Sequence, residues 1–299
     1  MSIAFAFCGK IGTYKLQSRH ASHADESMVR SSFASFRRHV YDTAPFEKKH
    51  VFIHSWNPEV ESLIRTLYTP QNAVFEGVLN GTSNCKSGTD CFRVYSYLKS
   101  IKSVLRLVFL EKVLYNFVFL SRFDVLWRVP FHYKTLTSDS YILPEHCSPV
   151  KQTLSEKGDK CRPMYFTSLE NSSCTDFLCR HNSYLRNHSV LDMWIVGNHS
   201  LMKDFMKIGD DNTISDMNKI VSAHKPAWIV AHVYWGLFLK TKPVMHINYK
   251  EWIDWSLSRF PDNIPWSKHP LCYQTPIVER VVFKEKCRES SLCTNCSHI

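Results

Sequence analysis

The sequence predicts an α/β fold with a mainly parallel central sheet flanked by helices, and three observations predict it. Strand-like and helix-like stretches alternate through the first half, as they do where parallel strands are joined by covering helices. The run Asn116–Trp127 is apolar enough for a buried strand, yet it carries Arg122-Phe123-Asp124 at its exit. A turn bearing Gly9 and Gly12 directly follows the first apolar run. In open α/β sheets ligands bind beyond the carboxyl ends of the strands, so both features fall where chemistry belongs.

The elements follow in order. Ile3–Cys8 is the first strand. Glu26–Tyr41 has Met28, Val29, Phe33, Phe36 and Val40 at helical spacing, and His50–Trp56 is the second strand. Pro58 suits the first turn of a helix over Pro58–Leu67, and Ala73–Glu76 is a short third strand. After a polar loop over Gly77–Asp90, Val94, Tyr97, Leu98, Ile101, Val104, Leu105 and Val108 form one apolar helix face that leads into the Asp124 strand. Tyr141–Leu143 reads as a strand, whereas residues 145–190 are rich in Cys, Ser and Asn without periodicity, the character of an insertion. Order resumes at Leu191–Gly197, a strand, followed by helices at Leu201–Ile208, Ile214–Val221 and Trp228–Leu239 and a late strand at Val244–Tyr249. Residues 1–270 thus read as one domain carrying the 145–190 insertion, with 271–299 as a Cys-containing tail.

Composition narrows the partners. The 299 residues carry a formal charge of +10, which favours acidic ligands such as nucleotide sugars, anionic glycans, nucleic acid or anionic membrane surfaces. The basic residues are dispersed, however, and build no interleaved basic and aromatic platform, so no specific nucleic-acid role is expected. No apolar run approaches the roughly 18 residues of a membrane span, and the chain reads as soluble as given, with the compartment open between cytoplasm and secretory lumen. Five Asn-X-Ser/Thr sequons, at Asn80, Asn171, Asn187, Asn198 and Asn295, point to a secretory lumen, and the missing signal segment points away from it. Eleven cysteines cannot all pair internally; Cys85/Cys91 and Cys287/Cys293 enclose loops short enough for a disulfide. Zinc at Cys293-x-x-Cys296 or around Cys174 and Cys179 is the weaker alternative, since neither set has the paired spacing of a zinc site.

The candidate residues follow from these positions. Gly9 and Gly12 let backbone approach a nucleotide with amides toward phosphate, and Lys10 is placed to contact it. His54 and Trp56 end the second strand with side chains on one side. Arg122 either neutralises phosphate with its donor fork or orients Asp124 through a paired hydrogen bond. Asp124 is placed to hold a divalent cation against a diphosphate, with a loop-capping acid as the alternative.

Several separated segments resemble one family. Phe5-Ala-Phe-Cys-Gly-Lys-Ile-Gly12, Val51-Phe-Ile-His-Ser-Trp56, Tyr68-Thr-Pro70 through Glu76, Ser96–Tyr115 leading into Leu120-Ser-Arg-Phe-Asp124, and Leu191-Asp-Met-Trp-Ile-Val-Gly197 are similar, in order and spacing, to small GT-A-fold glycosyltransferases of the type met in algae, large viruses and bacteria. The resemblance implies a GT-A-like Rossmann-type sandwich, a nucleotide-sugar donor as co-substrate, Mn²⁺ or Mg²⁺, and a glycan or glycoconjugate acceptor. It makes Asp192 the expected general base on the acceptor side, and His246 a late ligand to metal or diphosphate. Two positions depart from the family: Arg122 stands at the first acidic position of the usual Asp-x-Asp, and Lys10 replaces Gln or His. The broken acidic motif leaves a non-catalytic carbohydrate-binding module as the alternative.

Overall fold

Strand β1 (Ser2–Gly9) is buried along its whole length, as a central parallel strand covered on both faces must be. Its pleat sorts residues by size. Ile3, Phe5 and Phe7 enter one core layer, while Ala4, Ala6 and Cys8 enter the other. The small side chains let a long helix lie close against the sheet on that second face. The computed structural model describes residues 1–11, 26–77, 90–144, 190, 192–223, 231–247 and 255–257.

Helix α1 (Glu26–Phe36) continues into a single π-helical turn, Arg37–Tyr41. Then come β2 (Lys48–Ser55), a 3₁₀ turn at Pro58–Val60, α2 (Glu61–Tyr68) and β3 (Asn72–Phe75). Helix α3 (Asp90–Leu110) delivers the chain to β4 (Phe117–Arg122), short β5 (Val125–Trp127) and β6 (Tyr141–Pro144). The described chain resumes with β7 (Trp194–Gly197), α4 (His199–Phe205), a 3₁₀ turn over Met206–Gly209, α5 (Asp211–Ala223), α6 (Ala231–Leu239), β8 (Val244–Ile247) and β9 (Trp255–Leu257).

Seven strands form one sheet in the order β3-β2-β1-β4-β7-β6-β8. The four strands expected to be neighbours are neighbours, and β3, β2, β1 and β4 run parallel. β7 enters antiparallel to β4 and to β6, and β6 pairs parallel with β8, so the sheet is mixed and mostly parallel. The reversal at β7 has one consequence for function. Its amino end, where Asp192 sits, lies at the same sheet edge as the carboxyl ends of β1, β2 and β4. A separate antiparallel ribbon joins β5 to β9, a pairing that three-residue strands far apart in sequence do not announce.

Phe5 and Phe7 meet Phe36, Tyr68 and Phe119 on the α1 and α2 side. Leu98, Ile101, Leu105, Phe205 and Trp235 pack on the α3 face. Among the described residues no helix is long and apolar enough to cross a membrane. Cys91 is disulfide-bonded, and Cys8 is a buried free thiol. The Asn198 sequon has a structural use: its side chain caps α4 by accepting from the Leu201 amide at 2.8 Å. The other four sequons, the 145–190 insertion except Val190, the tail and both proposed zinc clusters lie outside the described residues.

Candidate active site

Two clusters of polar side chains occupy the carboxyl edge of the parallel strands. The first joins the ends of β1 and β2. Gly9 turns with φ 110°, a conformation that favours glycine. Its carbonyl accepts from the Trp56 amide at 3.2 Å, and its own N–H donates to Ser100 Oγ at 2.7 Å. The Ile11 amide is likewise taken, by Asn57 Oδ1 at 2.6 Å. These amides therefore tie the turn to α3 and β2, and the expectation that the Gly9 amide faces a phosphate is corrected. Lys10 is exposed at the strand end. Gly12 lies outside the described residues.

Ser100 Oγ, already accepting from Gly9, lies 2.7 Å from His54 Nδ1 and 3.4 Å from the His54 carbonyl. The hydroxyl donates to that carbonyl, and the ring turns its Nε2 toward Glu76. That Nε2 is buried with no hydrogen-bond partner among the described residues, 3.9 Å from Glu76 Oε2. Burial pushes the His54 pKa down to about 4, so the ring is neutral at pH 7 and the Glu76 contact is no ion pair. Trp56 meets the His54 ring edge-on at 4.6 Å and donates Nε1–H to the Ser96 carbonyl.

The second cluster lies where β4 ends beside the entry to β7. Arg122 donates to Asp124 through two parallel bonds, Nε to Oδ1 at 2.9 Å and a terminal nitrogen to Oδ2 at 2.7 Å. Of the two roles open to Arg122, orienting Asp124 is the one the geometry displays. Its other terminal nitrogen stands 4.0 Å from Asp192 Oδ1. One guanidinium thus faces two carboxylates, both nearly buried. Burial works against the Arg122 charge, but Asp124 and then Asp192 outweigh it, and the group is held protonated.

Tyr97 from α3 donates to the Asp192 carbonyl at 2.6 Å. Burial, followed by the nearby Cys8 and Asp192, holds Tyr97 in its phenol form, and burial likewise keeps Cys8 a thiol. The Arg122 guanidinium lies 5.8 Å from the Tyr97 ring, which also stacks with Trp235.

His232, in the first turn of α6, places Nδ1 2.8 Å from Asp192 Oδ1. The Asp192 amide donates to the same nitrogen at 3.1 Å.

Asp192, Asp124 and Arg122 come together as the sequence leads one to expect, and His54, Trp56, Gly9 and Lys10 border the same edge. His246 does not join them. It is exposed on edge strand β8, its Nδ1 3.2 Å from the Pro144 carbonyl, three strands from β4 and so about 14 Å away at ordinary strand spacing. Its expected part in holding metal or diphosphate finds no support in that position. Three contributors escaped the sequence reading. Tyr97 and Ser100 sit on the buried side of α3, where periodicity marks them as core, and His232 is a lone histidine in an apolar run, a pattern that usually means packing.

One guanidinium against two carboxylates leaves this cluster net negative, and a carboxylate that has accepted two hydrogen bonds retains further lone pairs. Asp124 therefore fits a hard divalent cation held by a single carboxylate and completed by substrate phosphates. No group of three or more His, Cys, Asp or Glu side chains stands ready to hold a metal unaided among the described residues. Comparison with protein-family models and with curated proteins returns no match to this chain.

Proposed function

We propose that this chain is a nucleotide-sugar-dependent glycosyltransferase of GT-A type, moving a sugar from a nucleoside-diphosphate donor to a hydroxyl of a glycan or glycoconjugate. The observation that carries this reading is Arg122 fixed between Asp124 and Asp192 at the carboxyl edge of a mostly parallel sheet, where ligands of open α/β folds bind. The order of the segments Phe5–Gly12, Val51–Trp56, Leu120–Asp124 and Leu191–Gly197 supports it independently.

In this reading the donor diphosphate lies beside the ends of β1 and β4. Lys10 supplies positive charge from the β1 end, and Asp124 would hold Mn²⁺ or Mg²⁺. When bound, that cation supplies Lewis-acid stabilisation of the negative charge that develops on the departing diphosphate. Arg122 fixes the Asp124 carboxylate so that it need not reorganise as that charge develops. His54 and Trp56, locked by Ser100 and the Ser96 carbonyl, form the nucleotide-side wall. Asp192 faces the acceptor hydroxyl across the guanidinium. The sugar passes through an oxocarbenium-like state, in chemistry akin to that of glycosidases.

A second reading has an observation of its own. Both Asp124 oxygens engage Arg122, which suits a carbohydrate-binding module with a neutralised acid. One experiment separates the two: wild type and Asp124→Asn are incubated with UDP-glucose, UDP-galactose, UDP-N-acetylglucosamine, GDP-mannose and GDP-fucose, each with Mn²⁺ or Mg²⁺, and nucleotide release is measured. Turnover of a donor by wild type and its loss in the variant are expected. Binding without release by wild type favours the module, and full activity of Asp124→Asn removes the central assignment.

A further inference from the structure

We propose that the cleft at the amino end of β2 binds a small phosphate dianion, either inorganic phosphate or the phosphoryl end of a phosphate monoester. This site goes beyond the glycosyltransferase reading and stands without it, because the cleft lies at the opposite sheet edge from Asp124. From Lys49 to Ser55 the strand alone covers roughly 20 Å. The cleft opens between α1 with its π-helical turn and the carboxyl end of α2, and its open volume is about 60 Å³. One enclosed water needs about 10–15 Å³, so a group of a few heavy atoms fits. The pleat of β2 decides which side chains face it. Lys49 pairs in register with Ile3 and lies on the α1 side, whereas His50 turns its ring to Tyr115 on the α3 side.

Two cations gather on one ring of this cleft. The Arg37 guanidinium carbon is 4.6 Å from the centre of the Tyr41 ring, and Lys49 Nζ is 5.2 Å from it. Both are held in place by the protein itself. Arg37 Nε pairs with Asp42 at 2.8 Å, which leaves the terminal nitrogens of the fork, and Lys49 gives one N–H to the Tyr41 carbonyl at 3.0 Å, which leaves two. Among the described residues no acid lines the cleft. A guanidinium fork and an ammonium point charge are the two side-chain groups suited to phosphate, and two positive charges match a dianion. The backbone points to the same place. Thr69, on the cleft wall, has φ 41° and ψ 56°, and among the described residues it is the one non-glycine residue with positive φ. A β-branched residue is disfavoured there, at a helix end where glycine is usual. Arg37 and Tyr41 are the two ends of the one π-helical turn among the described residues. Strained residues and π-helical turns gather at ligand sites, and here both border one cleft.

The test titrates the full chain by calorimetry with inorganic phosphate and with glucose 1-phosphate at fixed ionic strength, with chloride as the control anion. Saturable binding at one site is expected. Tighter binding of the ester supports the site and identifies a monoester as its ligand, and equal or weaker binding of the ester supports it with inorganic phosphate as the ligand. Arg37→Gln and Lys49→Gln should each weaken binding about tenfold or more, the size expected for losing a hydrogen bond from a charged group. Their urea midpoints should stay close to wild type, since neither side chain is buried. Binding that never saturates, or that the Arg37→Gln/Lys49→Gln double variant leaves unchanged, overturns the proposal. So does binding that Lys10→Gln removes and the double variant keeps, which would place the phosphate at the β1 end. Donor turnover does not enter these readouts, so a failed donor assay removes the glycosyltransferase reading and leaves this site to stand or fall by the titration.

Discussion

Asp124 reads in sequence as an acid at a strand exit, serving chemistry without being part of the core. Its setting makes it both. The carboxylate is 4% exposed and forms a two-pronged pair with Arg122, whose side chain is itself only 18% exposed. Removing one partner of such a pair strands the other charge in a poorly solvated place, a loss of about 3–5 kcal/mol, whereas replacing both with apolar groups of similar size is often neutral. Asp124→Asn is therefore expected to lose about 3 kcal/mol in urea unfolding as well as turnover, and Arg122→Met/Asp124→Leu to regain most of the stability and none of the activity. A single variant as stable as wild type would mean that water or Asp192 compensates Arg122 fully. The Arg-x-Asp spacing was legible in the sequence, since residues two apart at a strand end share a face. The depth of burial was not, because it depends on Tyr97 and Trp235 from distant helices.

At the scale of elements, what the sequence announced was whatever has a period. The apolar face from Val94 to Val108 marks α3, and the apolar run Ile3–Cys8 marks β1. The π-helical turn Arg37–Tyr41 and the ribbon of β5 with β9 escaped because neither is long enough to show a period. Another hidden feature is the approach of the Met206–Gly209 turn to α3. A Cβ on Gly209 would lie 2.5 Å from the Leu98 carbonyl oxygen and 2.5 Å from Lys102 Cβ, closer than atoms can pack. The turn is also tied there by Lys102 Nζ to Asp210 at 2.6 Å. Gly209→Ala must push the turn off the helix, at a cost of about 1–3 kcal/mol, the range for overpacking. Gly77→Ala, with open space around its Cβ position, serves as the control. Equal unfolding midpoints for the two variants would show that the turn yields freely. Because α3 also carries Tyr97 and Ser100, Gly209→Ala is expected to lower donor turnover in step with stability.

Across the whole molecule the site exists because the topology brings chain ends to one edge: β1, β2 and β4 leave there, and β7, running backwards, arrives there. Motif order could be read from the sequence, but strand direction could not, since a four-residue apolar run looks the same either way. The same folding buries His54 as a neutral ring, and this gives stability a pH dependence with a definite sign. The folded pKa is about 4 against an ordinary 6.5, so between those values the unfolded chain takes up a proton that the folded chain refuses. Stability is complete above about pH 6.5 and declines as pH falls toward 4. Some 2.5 pH units correspond to on the order of 3 kcal/mol. His39 and His199, both depressed first by burial and then by a neighbouring Arg38 or Lys203, act in the same direction. Asp211, held low by the Lys99 hydrogen bond, contributes a further loss only below the ordinary carboxylate range. Urea unfolding between pH 7 and pH 4.5 should therefore show a falling free energy. His54→Asn, which keeps a polar group near Ser100 but does not titrate, should flatten most of that slope while losing some stability at pH 7. An unchanged slope in the variant would mean that His54 takes its proton in the folded state as readily as in the unfolded one, through the Glu76 carboxylate 3.9 Å away.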